Sequence, residues 1–191
     1  MISELLKKDR TFRRFDENFK TDNSTLKTIV EQLRFCHSAS NQQGIVYRIV
    51  TEQETNNKIF PLLKWAGYLT DWHGPQPGER PTAYIIMGIH TQRANIADKW
   101  IFTDIGMSVE ALSLMIAEKK LGNCIIAAFD KPKLTEILEV PEHIDLQLVV
   151  AIGKPAEIVE TIDIDDSQSI KYYREGEKHI VPKRKGEDIM F

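Results

Sequence analysis

Ala83-Tyr84-Ile85-Ile86-Met87-Gly88-Ile89 is an apolar run without the alternation of a half-exposed strand. Such a run is typical of a strand that is buried on both faces. A second run of this kind, Leu146-Gln147-Leu148-Val149-Val150-Ala151-Ile152, is closed by Gly153-Lys154-Pro155. We therefore expect two buried strands inside one sheet. Two shorter segments, 46–50 and 124–126, predict further strands.

Helical periodicity fills most of the sequence between these strands. Residues 1–8 and 132–140 predict short helices, and residues 52–72 predict a longer one. Leu26, Ile29, Val30 and Leu33 recur at helical spacing behind a possible cap at Asp22, Asn23 or Ser24. The polar run 37–44 breaks that periodicity and predicts a loop, as does the Pro- and Gly-rich stretch 73–81.

The longest predicted helix covers residues 97–120. Its apolar residues surround the helix instead of forming one stripe, a pattern typical of a helix buried in a domain or in a subunit interface. Gly122 is expected to end it as a left-handed cap. After Pro155 the residues 156–178 become acidic and polar with little periodicity, and the chain closes on apolar Ile189-Met190-Phe191. We expect one α+β domain over residues 1–191, with four or five strands and a C-terminal arm.

Composition excludes several classes of protein. An apolar fraction of 42% and a charged fraction of 28% are those of an ordinary globular protein. The net charge of −3 argues against nucleic-acid binding. Only Cys36 and Cys124 occur, so a disulfide framework is excluded. No segment shows a signal peptide or the roughly 20 apolar residues of a membrane span. We expect a cytoplasmic protein without membrane or nucleic-acid partners.

Positive charge gathers at the two ends of the chain, in Lys7, Lys8, Arg10, Arg13 and Arg14 and in Lys183, Arg184 and Lys185. These clusters are either solvated surface or two halves of one anion site. The phosphate-binding patterns G-x-x-x-x-G-K-[ST] and G-x-G-x-x-G are absent, as is the hydrolase pattern G-x-S-x-G. The five histidines lack metal-ligand spacing. An enzyme with so few acid–base groups is expected to use an organic cofactor.

Four segments, in order, resemble the nitroreductase family of FMN-dependent oxidoreductases. Arg10-Thr11-Phe12-Arg13-Arg14-Phe15 resembles R-R-S-x-R-x-[FY], and Ser38-Ala39-Ser40-Asn41-Gln42-Gln43 resembles P-S-x-x-N-x-Q-P-W. Asp104-Ile105-Gly106 followed by Leu121-Gly122-Asn123-Cys124 is similar to D-x-G and G-L-G-x-C. Gly153-Lys154-Pro155 and Pro182-Lys183-Arg184 resemble the G-x-P strand end and the basic C-terminal segment. Together these segments span nearly the whole chain.

The resemblance implies a nitroreductase-like fold: a central, mostly antiparallel sheet flanked by helices, with the C-terminal arm exchanged in a homodimer. It also implies an FMN site at the subunit interface. The dianionic phosphate needs cations and a hydroxyl, which Arg10, Thr11, Arg13, Lys183 and Arg184 would supply. At the pyrimidine edge of the flavin the candidates are Asn41 and Gln43, and near N5 the backbone of Ala127 and Ala128.

The implied reaction moves electrons from NADH or NADPH to a small organic acceptor, such as a nitroaromatic or a quinone, by a ping-pong cycle through flavin N5. No side chain is assigned as a general acid. Residues 65–81 form either a lid over the flavin, with Tyr68 and Trp72 stacking on an acceptor, or part of the core. Two other functions stay open: a flavin-binding protein without turnover, and a relative that performs dehalogenation or dehydrogenation.

This sequence departs from the family patterns at several positions. Asp9 stands where the family usually has its first Arg, and His37 stands where Pro is common. Gly44-Ile45 replaces Pro-Trp, and Lys120 replaces the first Gly of G-L-G. These changes leave the predicted flavin ligands in place, and they bear mainly on substrate specificity.

Overall fold

The computed structural model describes residues 1–191, and its centre is a four-stranded antiparallel sheet. The strands are β1 (Ile45–Val50), β2 (Ala83–His90), β3 (Gly122–Ile126) and β4 (Ile144–Gly153), in the order β1-β2-β4-β3. The two apolar runs are thus the two inner strands, and all residues of β2 except His90 are buried. This confirms the predicted α+β class with an antiparallel central sheet.

Five α-helices surround this sheet: α1 (Ile2–Lys8), α2 (Asn23–Leu33), α3 (Gln53–Ile59), α4 (Asp98–Glu118) and α5 (Lys131–Ile137). Short 3₁₀ turns cover Ala39–Asn41, Phe60–Leu62 and Gly186–Ile189. The predicted cap of α2 is Asp22, whose carboxylate accepts the N–H of Thr25 at 2.9 Å. That bond satisfies one of the free N–H groups at the start of the helix.

The sheet has an apolar cluster on each face because successive side chains of a strand point to opposite sides. Ile85 and Met87 of β2 pack with α2 and α4 on one face. Tyr84 and Ile86 pack on the other face with a second set of core residues, which comprises Phe15, Ile59, Leu63, Trp65 and Leu134. A strand with a core on both faces needs apolar residues at every position, and this explains the uninterrupted runs.

Helix α4 is the longest helix, as predicted, and its 21 residues include an 18-residue window of mean hydropathy 1.4. That length and composition would also suit a membrane span, so the expectation that no segment comes near one was wrong. Core helices meet the same criterion. In this fold Ile105, Leu112 and Ile116 of α4 are buried in the cluster against the sheet.

The residues after Pro155, predicted as a C-terminal arm with little periodicity, form a second sheet, so the prediction of only four or five strands was wrong. Its strands are β5 (Ile158–Ile164), β6 (Tyr173–Glu175) and β7 (Lys178–Arg184). Strand β7 lies in the middle, parallel to β5 and antiparallel to β6. Gly176, at φ +57°, forms part of the tight turn between β6 and β7. The chain therefore has seven strands, and exchange of this segment with a second chain stays a prediction.

The predicted helix over 52–72 was wrong beyond its first two turns. Helix α3 ends at Ile59, a 3₁₀ turn follows, and residues 63–82 are irregular. Pro61 lacks an N–H, and Leu63 leaves the helical path to bridge to Phe129. Tertiary contacts thus override the helical spacing of the apolar residues here.

The predicted cap at Gly122 was also wrong. The residue with positive φ after α4 is Lys120, at +60°, and Gly122 is the first residue of β3. A Cβ at Gly122 would lie 2.7 Å from Cδ2 of Phe12 and 2.8 Å from Cγ of Pro155. The glycine is needed because of this close packing.

Candidate functional site

A cavity of about 410 Å³ lies where the N-terminal segment 9–13 meets α4, β3 and the C-terminal sheet. Four of the predicted phosphate ligands line it: Arg10, Thr11, Arg13 and Lys183. The two basic clusters, which are far apart in the sequence, therefore contribute to one concave site. Of the two explanations for these clusters, convergence fits Arg10, Arg13 and Lys183, and anion binding at this cavity stays a prediction.

Backbone pairing with β3 holds the N-terminal segment in place. Thr11 forms an isolated parallel bridge to Asn123, and the N–H of Phe12 donates to the carbonyl of Asn123 at 2.8 Å. The missing side chain of Gly122 lets the ring of Phe12 pack against the strand. The glycine of the G-x-C pattern thus helps to set the backbone position from which the side chains of Arg10 and Arg13 extend.

Arg13 is the most constrained cation of the cavity, with an exposed fraction of 8%. Its Nη1 lies 2.8 Å from Nε2 of His179, and its Cζ lies 4.5 Å from the ring centroid of Tyr172. Its own N–H donates to the carboxylate of Glu157, which also accepts from Nη2 of Arg174 at 2.9 Å. The guanidinium is therefore positioned before any ligand arrives.

His179 is fully buried between Arg13 and Arg174. Burial and the two neighbouring cations lower the pKa of its imidazole to about 4. The ring is therefore neutral at neutral pH, and Nε2 can accept a hydrogen bond from Arg13.

Three buried donors of the cavity lining have no partner within the chain: Nε of Arg10, Nε of Arg13 and Nδ1 of His179. Such donors are costly unless something accepts from them. Anionic oxygen atoms are the natural acceptors for guanidinium N–H groups. The donor set therefore fits the phosphate of a bound cofactor.

The model of the nitroreductase family matches residues 6–154 of this chain. The chain belongs to the nitroreductase family. Solved structures with low sequence identity share the fold. A nitroreductase family protein from Streptococcus pneumoniae TIGR4 is 19% identical with a TM-score of 0.69, over 84% of this chain and 93% of that one. A nitroreductase family protein from Clostridium novyi NT is 18% identical with a TM-score of 0.67, over 81% and 86%.

A third structure, from Exiguobacterium sibiricum 255-15, was solved in complex with FMN. It is 16% identical with a TM-score of 0.68, over 82% of this chain and 89% of that one. These likenesses confirm the predicted nitroreductase-like fold.

The cavity lining contains two carboxylates, one of which, Asp9, stands where the family usually has an arginine. Oδ1 of Asp9 accepts from Oγ of Ser113 at 2.8 Å and from Nδ2 of Asn123 at 3.1 Å. Nδ2 of Asn123 also donates to Oγ of Ser113 at 2.8 Å. Glu110 of α4 is the second acidic residue of the lining. Sequence reasoning noted Asp9 but missed Ser113 and Asn123, because only tertiary structure brings them to Asp9.

The nitroreductase loop with Asn41 and Gln43 is held by Asp104, which has an exposed fraction of 1%. Asp104 accepts from Oγ of Ser38 at 2.9 Å and from the N–H of Ala39 at 3.0 Å. Ser40, Asn41 and Gln43 all have φ between 51° and 54°, the left-handed region. The D-x-G motif therefore contributes the carboxylate that fixes this unusual loop.

Asn41 and Gln43 are both exposed, and the structure does not bring them to the first cavity. Gln43 lines a second cavity of about 380 Å³, which shares no lining residue with the first. Helix α4 contributes residues to both, with Asp104 and Ser108 on one and Glu110 and Ser113 on the other. Within one chain, the two groups of predicted flavin ligands are thus separate.

The remaining predicted ligands lie outside both linings. Ala127 and Ala128 follow β3 and are exposed, and the carbonyl of Ala128 accepts from the N–H of Lys64 at 2.9 Å. Arg184 follows Lys183 on β7, so it points to the other face of the strand, where it pairs with Asp166. The cofactor roles of these three residues stay predictions.

The irregular segment that follows α3 places two aromatic side chains near Tyr172 and Arg174 of the C-terminal segment. Trp65 packs in the core, whereas Tyr68 is half exposed and its ring lies 5.0 Å from that of Tyr172. Trp72 lies under the guanidinium of Arg174, 5.0 Å from ring centroid to Cζ. Tyr68 therefore contacts Tyr172, which packs on Arg13, and Trp72 contacts Arg174, which pairs with Glu157. A role as lid stays a prediction.

Proposed function

We propose that this chain is an FMN-dependent oxidoreductase that transfers electrons from NADH or NADPH to a small organic acceptor, such as a nitroaromatic or a quinone. The observation that supports this most is the meeting of Arg10, Thr11, Arg13 and Lys183 in one cavity. Three cations and a hydroxyl suit a phosphate group, and family membership makes FMN the cofactor to test.

When bound, FMN would supply the hydride- and electron-transfer chemistry of a ping-pong reaction between the nicotinamide and the acceptor. The contribution of this chain is to bind and orient. Arg13 is held by His179, Tyr172 and Glu157, so little conformational entropy is lost when it engages an anion. Arg10 and Arg13 each offer a buried Nε–H that has no partner in the chain.

A homodimer is the assembly that we propose, with residues 1–191 as one domain of a cytoplasmic protein. Trp100 and Phe102 of α4 are 50% and 53% exposed, and a second copy would remove them from water. Because the 38–43 loop lies apart from the phosphate cavity of its own chain, we expect the loop of the second chain to complete the site. The amides of Asn41 and Gln43 would then reach the pyrimidine edge of the flavin.

The first experiment measures FMN retention by the purified full-length protein. After addition of FMN and desalting, we expect flavin absorbance to stay with the protein and to bleach anaerobically with NADH or NADPH. Arg13→Gln should weaken FMN binding about tenfold or more, because it removes a charge-assisted contact. Arg14→Gln is the matched control, since Arg14 pairs with Glu79 outside the cavity. Loss of all flavin from the unmodified protein would contradict the proposal.

Turnover is tested separately, by NADH and NADPH consumption in the presence of a nitroaromatic or a quinone. Flavin that is retained but never reduced would indicate a flavin-binding protein without turnover.

Light scattering tests the assembly. A particle of twice the 22.0 kDa chain mass is expected. Trp100→Ser should shift it towards the monomer, whereas Phe19→Ser, at an exposed position outside α4 and the C-terminal segment, should not. A monomeric unmodified protein would contradict the dimer.

A further inference from the structure

We infer that Asp9 is a specificity-determining residue that makes the cavity disfavour a phosphate dianion and favour a ligand that presents an O–H group there. The inference rests on the proposed flavin site. The preferred ligand end is either a phosphate that keeps one proton or the hydroxyl end of riboflavin, which has no phosphate. The chemistry shared by both is an O–H donor facing a carboxylate.

The geometry fixes the Asp9 carboxylate at the cavity wall. Ser113 and Asn123 hold Oδ1 by two hydrogen bonds, and their exposed fractions are 4% and 3%. Oδ2 makes no hydrogen bond within the chain, and Asp9 is part of the cavity lining. An ionised carboxylate only accepts hydrogen bonds, so the group that satisfies Oδ2 must be a donor. A fully ionised phosphate has no donor to offer.

The charges of the lining lead to the same conclusion. Arg10, Arg13 and Lys183 are cationic, while Asp9 and Glu110 are carboxylates, which leaves one net positive charge. His179 is neutral at neutral pH, and Tyr172 is the other titratable group of the lining. A phosphate monoanion would neutralise this set, whereas a dianion would leave an excess negative charge beside Asp9. Repulsion between like charges that share one partly buried site is stronger than it would be in water.

The first test needs no variant. The dissociation constants of FMN and riboflavin are measured by quenching of flavin fluorescence, using flavin-free full-length protein, between about pH 5.5 and pH 8. The second ionisation of a phosphate monoester lies near pH 6, inside this range. We expect FMN binding to weaken roughly fivefold or more as the pH rises, with less than about twofold change for riboflavin. FMN binding that is constant or tightens with rising pH would overturn the inference.

The second test replaces the carboxylate. Asp9→Asn keeps an oxygen for Ser113 and Asn123 and turns an N–H donor towards the ligand. At pH 8 we expect FMN affinity to rise about tenfold and riboflavin affinity to change less than about threefold. Glu142→Gln removes the same charge from an exposed side chain outside the cavity and should change neither affinity. Glu110→Gln, within the lining, should raise FMN affinity less than Asp9→Asn does.

The possible failures can be told apart. If the unmodified protein binds neither flavin, the proposed function fails and this inference fails with it. If both flavins bind but Asp9→Asn leaves the ratio of the FMN and riboflavin dissociation constants unchanged, only the inference is overturned. The same holds if Glu110→Gln raises FMN affinity as much as Asp9→Asn does. Should Asp9→Asn not fold, shown by loss of a cooperative unfolding transition, the pH profile of the unmodified protein decides alone.

Discussion

Nη1 of Arg13 lies 2.8 Å from Nε2 of His179, a buried contact between residues 166 positions apart. Since a guanidinium only donates, Nε2 must accept, and the proton of the neutral ring resides on Nδ1. The contact joins the N-terminal segment to the C-terminal sheet at the wall of the first cavity. The same interaction therefore contributes to stability and to the position of a predicted cofactor ligand.

The stability of the protein should fall in mild acid because of His179. Its folded-state pKa of about 4 lies below the ordinary value of 6.5, so the unfolded chain binds a proton that the folded chain does not. The contribution of His179 to the unfolding free energy is constant above about pH 7 and is lost as the pH falls through 6.5 towards 4. The cost at pH 4 is roughly 3 kcal/mol relative to pH 7. Urea unfolding at a series of pH values measures it.

His179→Gln provides the comparison, because an amide oxygen can still accept from Arg13 and does not titrate. The difference in unfolding free energy between the two proteins should be constant above pH 7 and shrink between pH 6.5 and 4. Parallel curves over that interval would show that His179 does not titrate as described.

Lys183 and Arg184 should differ in their effect on FMN. Lys183 lines the cavity, whereas Arg184 points to the other face of β7 and pairs with Asp166. We expect Lys183→Gln to weaken FMN binding about tenfold and Arg184→Gln to weaken it less than about twofold. Equal losses in fluorescence titrations would mean that Arg184 also reaches the phosphate, as the family resemblance implies.

Gly122→Ala should destabilise the protein and displace the segment that carries Arg10 and Arg13. The new Cβ would lie within 3.0 Å of Phe12 and Pro155, so these residues must move. Overpacking of this kind typically costs about 1–3 kcal/mol. Gly67→Ala is the control, since nothing lies within 4 Å of its Cβ, and it should stay within about 0.5 kcal/mol of the unmodified protein. Thermal and urea unfolding distinguish the two.

Asp104→Asn should loosen the 38–43 loop. The change removes a charged acceptor from the side chain of Ser38 and the N–H of Ala39 in a buried site, at an expected cost of about 1–3 kcal/mol. Three left-handed residues in the loop would then lose the contact that holds them. Limited proteolysis should cut the variant faster at this loop. Asp71→Asn, at an exposed position, should behave like the unmodified protein.

The central sheet was predictable from sequence because burial on both faces requires an apolar residue at every position. The runs 83–89 and 146–152 record that requirement directly, and they became the inner strands β2 and β4. The cap at Asp22 was predictable for a local reason, since a carboxylate there accepts from an N–H three residues later. Membership of the nitroreductase family was predictable because four short motifs of the family occur in order along the chain.

The C-terminal sheet was not predictable in this way. Strand β5 is mostly exposed and is held by backbone pairing with β7, so its side chains carry no periodic signal. The helix predicted beyond Ile59 failed for a related reason. There the pairing of Leu63 with Phe129, far along the chain, outweighs local preference.

For the site, the sequence by itself determined the residue types: arginines, a lysine and a hydroxyl at the two ends of the chain, with an aspartate in place of an arginine. Only the tertiary structure decided which of them meet. Arg10, Arg13 and Lys183 share a cavity, whereas Asn41 and Gln43 lie apart from it. It also placed Ser113 and Asn123 against Asp9. The physical reason is that a charge is encoded locally, while the partner that neutralises or orients it is set by packing between distant segments.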